Sequence, residues 1–514
     1  MHADDFDRAF QAWLTGDAER VLQLLGTKTA RTPRAVLLRA RALLRLRRAR
    51  EAIALLEAIA PDGITPAERA TAAMLLGTAY ARSGDAERGL GILRAVLNDA
   101  GAADPAIRSE ILLGIALAHY QRREFEAAAA ALDEVDPGSD IVYARALECR
   151  GWIAKSRNDF GATVAAFEAS LAQLDRCRQF DRFLEANLIA TLSYIAVELL
   201  DFTRWDALLE RAAQVRWESS GLEYNRFWLE LNRSVADETA GRPREALQAA
   251  RNAAAYAPSQ AFRLFAECRR AAVLFAYGEL LGVEDLAAAI RAELDAVDLR
   301  LLHEFEEINL PVMVAETLAL IGDGAGAARA LQRLDTMSAA QLALLHDEPM
   351  KRAYLAFVEG LAADANNDAF RARHRYRDAL RTFTEIGMTR RTLLAALRLG
   401  ALTGDPALPA FVEERVRALP AGSWIRAESA RLAAWHSDTQ LAQLTRAERE
   451  VIELLYEGKS TAEIAAVRGR SAQTIRNTVS RLMRAFGVDN RQALIKECSR
   501  RGAFPAAGAQ PPKR

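Results

Sequence analysis

Residues 444–465 read LTRAEREVIELLYEGKSTAEIA, and this stretch decides the fold of the C-terminal part of the chain. The pairs Thr445/Glu448 and Ser460/Glu463 both have the spacing of a capping box. In that motif the hydroxyl accepts from an unpaired backbone N–H at the start of a helix, and the glutamate reaches back to the capping residue. The stretch therefore predicts the starts of two helices, with a short turn between them.

The same stretch contains Gly458-Lys459-Ser460, which also ends the phosphate-binding loop of many nucleotide hydrolases. That loop needs a glycine five residues earlier, because two glycines let the backbone wrap the phosphates. The position holds Glu453, whose carboxylate would repel a phosphate, and the flanking residues have helical spacing rather than strand character. We therefore reject a nucleotide site and interpret these residues as a turn between helices.

The helical pattern continues to residue 500. It predicts four helices, at about 446–457, 461–468, 472–485 and 490–500. Gly469 leaves only a short turn between the second and third helices, as helix-turn-helix geometry requires.

The third of these helices has two different faces, and Ser471 is its predicted N-cap. Its apolar face repeats at one-turn spacing through Ile475, Val479, Leu482 and Phe486. Its other face carries Gln473, Arg476, Asn477, Ser480, Arg481 and Arg484. In the major groove arginine suits guanine, while asparagine or glutamine suits adenine. The helix is therefore predicted to read DNA.

These residues resemble the LuxR-type helix-turn-helix, the DNA-binding domain of a large family of bacterial regulators. The matching positions are Leu444, Thr445, Glu448, Val451, Gly458, Ser460, Glu463, Ile464, Ala465, Ser471, Thr474, Ile475, Arg476, Val479, Leu482, Gly487, Val488 and Arg491. The resemblance and the exposed face together assign base reading to Arg476, Asn477 and Gln473. They assign contacts with the DNA backbone to Lys459, Ser471, Thr474, Ser480, Arg481 and Arg484. By resemblance the fourth helix would form a dimer contact through Ala493, Leu494 and Cys498.

The sequence departs from the family pattern at the end of the second predicted helix and in the turn after it. Arg468 and Arg470 occupy positions that are usually apolar. We expect these changes to alter surface contacts rather than the fold, because Ile464 and Val467 remain to pack.

The charge of the chain is divided between its two parts. The whole chain has 68 Lys and Arg and 68 Asp and Glu, so its net charge is zero. From Gln440 onward there are fourteen basic and seven acidic residues, which makes this end +7 and the remainder −7. A basic end on an acidic body indicates a polyanion partner for the C-terminal domain alone.

Composition limits the remaining classes of protein. The chain is 51% hydrophobic and 26% charged, as in soluble globular proteins. The start MHADDFDRAF lacks the features of a signal peptide, and no apolar run is long enough to cross a bilayer. The four cysteines lack disulfide-framework or zinc spacing. We expect a cytoplasmic protein that does not associate with membranes.

Residues 1–400 repeat one pattern, in which a helix, a short polar turn and a second helix follow each other. The turns are TGDAER (15–20), RRAREA (47–52), SGDAER (83–88), RREFEA (122–127), RNDFGA (157–162), AGRPREA (240–246) and IGDGAGA (321–327). Neighbouring turns are mostly about 35–40 residues apart, which is the range of helical-hairpin repeats.

These hairpins resemble tetratricopeptide repeats at the small and bulky positions where two helices cross. The matching residues are Leu76, Gly77, Tyr80, Gly84, Phe125, Ala128, Gly151 and Phe167. The resemblance implies stacked hairpins in a right-handed superhelix, because a single hairpin cannot bury its apolar face alone. The concave surface of such an array often binds peptides, protein segments or small molecules.

Residues 202–228 are unusually rich in aromatic side chains. One interpretation is core packing, because large aromatic residues are mostly buried. The other is a ligand pocket formed by Trp205, Trp217, Tyr224 and Trp228, since such pockets favour aromatic residues. No pattern of catalytic residues or metal ligands stands out in the sequence, so we expect neither an enzyme nor a cofactor.

The sequence thus predicts an all-α protein: a tetratricopeptide-like α-solenoid followed by a four-helix LuxR-type helix-turn-helix domain. The predicted boundaries are 1–400 for the array, 401–440 for terminal helices and a connector, 441–501 for the DNA-binding domain and 502–514 for a disordered tail.

The predicted function is that of a bacterial transcription regulator. Its array would sense an unidentified effector (a small molecule, a peptide or a protein), and a homodimer would read paired half-sites in double-stranded DNA. The alternative is an interaction scaffold anchored to DNA with little sequence specificity. A preference for specific over random DNA distinguishes the two.

Overall fold

The computed structural model describes most of the chain. The described residues are 3–26, 32–46, 48–59, 64–100, 105–177, 181–215, 217, 222–276, 283–302, 307–403, 405, 407–417, 419–501 and 503–504. Within these ranges every regular element is a helix, so the all-α prediction is confirmed. No helix among the described residues is both long and apolar enough to span a membrane.

The helices of the array are numbered in chain order. In the N-terminal part they are α1 (Ala3–Leu14), α2 (Ala18–Leu24), α3 (Pro33–Arg45), α4 (Ala49–Glu57), α5 (Pro66–Arg82), α6 (Ala86–Ala100), α7 (Pro105–Gln121), α8 (Phe125–Asp133), α9 (Ile141–Ser156), α10 (Phe160–Leu174), α11 (Arg182–Leu199), α12 (Phe202–Ala212) and α13 (Glu223–Thr239). They continue with α14 (Pro243–Ala255), α15 (Gln260–Ala276), α16 (Val283–Ala296), α17 (Leu310–Leu320), α18 (Gly324–Gln332), α19 (Ala339–His346), α20 (Pro349–Ala365), α21 (Ala369–Glu385) and α22 (Thr389–Thr403).

The remaining helices include the predicted DNA-binding domain. They are α23 (Ala407–Val416), α24 (Trp424–Ser437), α25 (Thr439–Ala442), α26 (Arg446–Tyr456), α27 (Thr461–Val467), α28 (Ala472–Phe486) and α29 (Arg491–Arg500). Contacts divide the chain into two compact units: one comprises Met1–Ala196 and Phe202–Leu229, the other Val197–Asp201 and Glu230–Arg514.

The turns within the hairpins have a common construction, which the pair Gly84-Asp85 illustrates. Gly84 has a φ of +100°, and the N–H of Asp85 donates to the carbonyl of Tyr80 at 3.0 Å, which ends α5. The Asp85 carboxylate then accepts from the N–H of Arg88 at 3.2 Å and so starts α6. All seven predicted turns lie at the junction of two helices.

The hairpins are closely packed at the positions that carry the tetratricopeptide resemblance. A Cβ on Gly151 would lie 2.3 Å from the ring of Phe167, which is completely buried. The small residue on α9 therefore lets α10 approach. The first helices of successive hairpins also contact each other, as in α5 with α7 and α7 with α9. This stacking confirms the helical-repeat architecture.

Helices α26 to α29 form the predicted four-helix domain, and their bounds agree with the prediction to within one residue. Both capping boxes are present. The side-chain oxygens of Thr445 and Ser460 each accept from the backbone N–H of the glutamate three residues on, and the carboxylate of that glutamate accepts from the backbone N–H of the capping residue. The expectation for the second helix is half right. Ile464 is completely buried, but Val467 is 65% exposed because it lies beyond the buried face of the short α27.

The packed core of this domain extends past its predicted C-terminal end. Leu441 in α25 is completely buried in the core of the domain, and so is Ala503. Phe504 stacks on Tyr456 with their ring centroids 4.0 Å apart. The packed domain therefore reaches Phe504, inside the segment assigned to the tail. Residues 505–514 lie outside the described residues, so a disordered tail there stays a prediction.

The other boundaries also stay predictions. Position 400 lies inside α22, and the segment 401–440 contains helices α23 and α24 and the start of α25.

Candidate nucleic-acid interface

The turn between α27 and α28 is closed by backbone geometry. Gly469 has a φ of +58°, and the N–H of Arg470 donates to the carbonyl of Ala465 at 2.9 Å. Ser471 then accepts from the N–H of Thr474 at 3.1 Å and caps α28, as predicted. A left-handed glycine followed by a serine cap therefore fixes where α28 begins.

Helix α28 is sharply amphipathic. Ile475, Val479, Leu482 and Phe486 are buried in the core of the domain. Gln473, Arg476, Asn477, Ser480, Arg481 and Arg484 are all exposed. The apolar face fixes the rotation of the helix about its axis, and the polar face is therefore turned outward.

The three predicted base-reading side chains are linked to one another. The Oε1 atom of Gln473 accepts from Nε and Nη2 of Arg476 at 3.1 and 2.8 Å. The Nε2 atom of Gln473 donates to Oδ1 of Asn477 at 3.0 Å. These bonds join neighbouring turns of one helix and hold the guanidinium over its exposed face. They provide donors and acceptors of the types that read guanine and adenine.

The residues predicted to contact the DNA backbone lie around this face. Ser471 and Thr474 are exposed at the N-terminus of α28, with their hydroxyl oxygens 2.9 Å apart. A helix N-terminus favours anions, because its N–H groups and dipole are positive. Lys459 is half-buried in the turn before α27, while Ser480 and Arg484 are exposed further along α28.

Arg481 also has a partner within the domain. Its guanidinium lies 2.9 Å from the carboxylate of Glu448, whose side chain is 11% exposed. Burial alone would raise the pKa of Glu448, but hydrogen bonds from Thr445 and the charge of Arg481 lower it below its ordinary value. Arg481 therefore ties α28 to the start of α26.

The structure corrects part of the predicted dimer contact on α29. Leu494 and Cys498 are completely buried in the core of their own domain, so neither offers a surface to a second copy. Burial also raises the pKa of the Cys498 thiol to about 12. Ala493 is partly exposed, and its N–H donates to Oδ1 of Asn490 at 2.8 Å. A dimer contact through the remaining face of α29 stays a prediction.

The polar face of α26 carries ion pairs that the sequence did not reveal. Glu450 pairs with both Arg446 and Arg468. Arg446 also pairs with Asp364 in α20, and Glu453 pairs with Arg431 in α24. Helix α26 therefore ties the domain to α20 and α24. The only sequence signal was the presence of Arg468 at a usually apolar position.

The aromatic segment 202–228 is largely packed. Trp205 is 1% exposed, and Phe227 is completely buried. Nε1 of Trp217 donates to the carbonyl of Ala212 at 2.8 Å. Tyr224 and Trp228 meet edge to face, with centroids 6.4 Å apart. A ligand pocket at these residues stays a prediction.

Comparisons with known proteins agree with this geometry. Residues 442–498 match the model of a family described as bacterial regulatory proteins, luxR family. Over 59 residues the chain is 44% identical to the spore germination protein GerE of Bacillus subtilis (strain 168). The aligned segment covers 12% of this chain and 80% of that protein.

Two solved structures resemble the chain at low similarity. The Cut9-Hcn1 hetero-tetramer of APC/C has 13% identity and a TM-score of 0.28, and the match covers 81% of this chain and 96% of that one. The Naa15/Naa10 structure with HypK-THB has 12% identity and a TM-score of 0.18, covering 98% and 93%. With TM-scores this low, neither adds to the description of the array.

Proposed function

Because the chain belongs to the luxR family of bacterial regulatory proteins, we propose that it is a transcription regulator that reads paired DNA half-sites as a homodimer in the cytoplasm. The exposed face of α28 carries this proposal: Arg476, Gln473 and Asn477 are hydrogen-bonded together on a helix whose opposite face is buried. In helix-turn-helix proteins the N-terminal residues of such a helix contact base edges in the major groove. A dimer then fixes the spacing of two half-sites.

We further propose that the helical array receives the signal. The support is the set of ion pairs on α26, which connects the DNA-binding domain to α20 and α24. A ligand or partner that binds the array better in one arrangement than in another shifts the balance between them. Rearrangement of α20 or α24 would then change how two DNA-binding domains are presented to paired half-sites.

The test of base reading uses Arg476→Ala and Asn477→Ala, measured by fluorescence anisotropy on a specific and a scrambled duplex. Genome-wide mapping of bound DNA supplies the specific sequence. Each variant should lose about 1–3 kcal/mol on the specific duplex and little on the scrambled one. Arg381→Ala, which removes an exposed arginine of α21, is the matched control. Equal losses on both duplexes would favour the DNA-anchored scaffold instead.

The test of sensing uses a truncation that keeps residues 424–514. It retains α24 with its Arg431–Glu453 ion pair. If the array is the sensor, the truncated protein should regulate constitutively or not at all. Full signal-dependent regulation by this fragment would show that the signal enters elsewhere.

A further inference from the structure

The first compact unit contains a cavity of about 670 Å³. It is lined by one face each of α1, α3, α5, α7 and α9, which are the first helices of five successive hairpins. On α3, for example, the lining positions are 34, 37, 38, 41, 44 and 45, which is one-face helical spacing. Volumes of this order are typical of sites for small organic ligands.

Most of the cavity wall is apolar. Phe6 and Phe10 of α1 stack with their centroids 6.2 Å apart, and Met74 and Leu117 belong to the wall on α5 and α7. Such a wall favours an apolar ligand body, because burial removes its surface from water.

One charged side chain in this wall, that of Arg45, is deeply buried. It is 6% exposed, and its Cζ atom lies 3.5 Å from the centroid of the Trp13 ring. Its Nη2 atom lies 3.4 Å from Oδ2 of Asp181. Among the described residues, no group accepts a hydrogen bond from its Nε or Nη1 atoms. Buried guanidinium N–H groups are costly to leave unsatisfied, and stacking on an indole ring satisfies neither of them.

The charge around Arg45 is also unbalanced. Asp181 accepts from Nε and Nη2 of Arg145 at 3.2 and 2.5 Å, so one carboxylate serves two arginines. Arg41 is separately neutralised by Glu110 through two bonds of 3.1 and 2.8 Å. These three groups alone sum to +1, and the charges of Arg82, a further arginine of the wall, and of the buried Glu148 also act on them.

The pKa shifts of Arg45 and Glu148 reflect the burial and the charges around them. Burial, together with the charges of Arg145, Arg41 and Arg82, lowers the pKa of Arg45 to about 10 against the opposite effect of Asp181. Glu148 on α9 has its pKa raised by burial against the opposing charge of Arg145, and it accepts from Asn187 at 2.8 Å. A carboxylate at Arg45 would supply the acceptor that its Nε and Nη1 atoms lack.

We infer that this cavity binds a small organic carboxylate with an apolar body, whose carboxylate accepts from Arg45 while its chain or ring lies against the apolar wall. The inference rests on the proposed function, since it names the chemical class of the effector that the array would sense. One buried guanidinium with two unpaired N–H positions matches a single carboxylate, and an apolar wall matches a fatty or arylalkanoic acid rather than a sugar or a nucleotide.

The test measures binding of decanoate to the full-length protein by isothermal titration calorimetry, with decan-1-ol and decyl phosphate as comparisons. Decanoate should bind, decan-1-ol should bind at least tenfold more weakly, and decyl phosphate should not bind more tightly than decanoate. Arg45→Met should weaken decanoate binding roughly ten- to hundredfold, because a hydrogen bond to a charged group is lost.

Two further variants separate binding from folding. Arg211→Met removes a partly buried, ion-paired arginine of the same unit that does not line the cavity, and it should bind decanoate as the wild type does. Thr71→Trp fills the cavity from α5 while leaving Arg45 and Asp181 in place, and it should abolish decanoate binding. Circular dichroism confirms that each variant is folded.

The inference is overturned if decanoate does not bind at millimolar concentration, if decan-1-ol binds within tenfold of decanoate, if decyl phosphate binds more tightly than decanoate, or if the Arg45→Met and Thr71→Trp variants, once folded, bind like the wild type. DNA affinity is measured in parallel. If decanoate binding depends on Arg45 but leaves DNA affinity unchanged, the result supports the inferred ligand site and contradicts sensing by the array. If decanoate does not bind but α28 reads bases, only the inferred ligand site is refuted, and the proposed function stands.

Discussion

The arginines of α28 and those of the cavity are positioned in different ways. Arg476 is held on an exposed helix face by Gln473, less than one turn away. Arg45 is held inside the protein by Trp13 and Asp181, which belong to distant parts of the sequence. The surface set can rely on local geometry because DNA itself brings the counter-charge. The buried set depends on several helices, because a cation is stabilised away from water only by groups packed around it.

The largest effect that would sharpen this comparison is expected at Asp181. Asp181→Asn removes the carboxylate that Arg45 and Arg145 share in the interior, and breaking a buried ion pair costs about 3–5 kcal/mol. Urea denaturation followed by tryptophan fluorescence measures the loss. The control Asp175→Asn breaks a half-exposed pair with Arg211 and should cost no more than about 1 kcal/mol. Similar losses for the two variants would remove the distinction between buried and exposed pairs.

A second prediction tests whether a residue beyond the predicted end of the DNA-binding domain contributes to its stability. Phe504→Ala removes a ring that is 6% exposed and stacked on Tyr456, and should destabilise the domain by about 3 kcal/mol. Hydrogen exchange of α26–α29 in increasing urea measures this loss. Phe370, which is 81% exposed on α21, provides the control Phe370→Ala with little effect. A loss below about 0.5 kcal/mol at Phe504 would place the end of the domain before it.

The third prediction concerns a half-buried cation, Lys459, that is predicted to contact the DNA backbone rather than bases. Lys459→Ala should weaken binding to specific and scrambled duplexes alike, by about 1 kcal/mol, and reduce the salt dependence by about one unit of slope. Arg381→Ala makes the same change of charge on the exposed surface of α21 and is expected to have little effect. A salt series by fluorescence anisotropy gives both quantities. A loss confined to the specific duplex would mean that Lys459 takes part in sequence reading.

The smallest effect is a difference in acid sensitivity between the two regions. Hydrogen bonds from Arg500 and Arg501 lower the pKa of Glu497 from 4.5 to about 2. Because the folded pKa is the lower one, this stabilisation is complete above pH 4.5 and is lost as the pH falls towards 2. Asp181 stays ionised over most of that range, since Arg145 and Arg45 outweigh burial and hold its pKa further below the ordinary value.

Hydrogen exchange mass spectrometry, corrected for intrinsic rates, tests this difference. Peptides from α29 should lose protection between pH 4.5 and 3 before peptides from the start of α11, and Glu497→Gln should remove that pH dependence. Loss of protection in α11 first would reverse the order predicted here.

Much of the DNA-binding domain could be predicted because its signals are local. Capping boxes join residues three positions apart, and the apolar repeat of α28 fixes its rotation within a single helix. The Gly-Asp turns of the array are local for the same reason. Prediction was less successful where burial depends on distant residues. Val467 is exposed, and Leu494 and Cys498 lie inside the domain rather than at a dimer surface.

The sequence by itself determined the helices, their caps, the repeat and the family of the C-terminal domain, because each of these depends on neighbours within a few turns. Only the tertiary structure decided which charges are paired and which are left over. Asp364 meets Arg446, and Asp181 is shared by Arg45 and Arg145, across separations that no periodicity in the sequence encodes. The inferred ligand site at Arg45 depends on the tertiary structure, because the first helices of five hairpins stack to form the cavity that Arg45 lines.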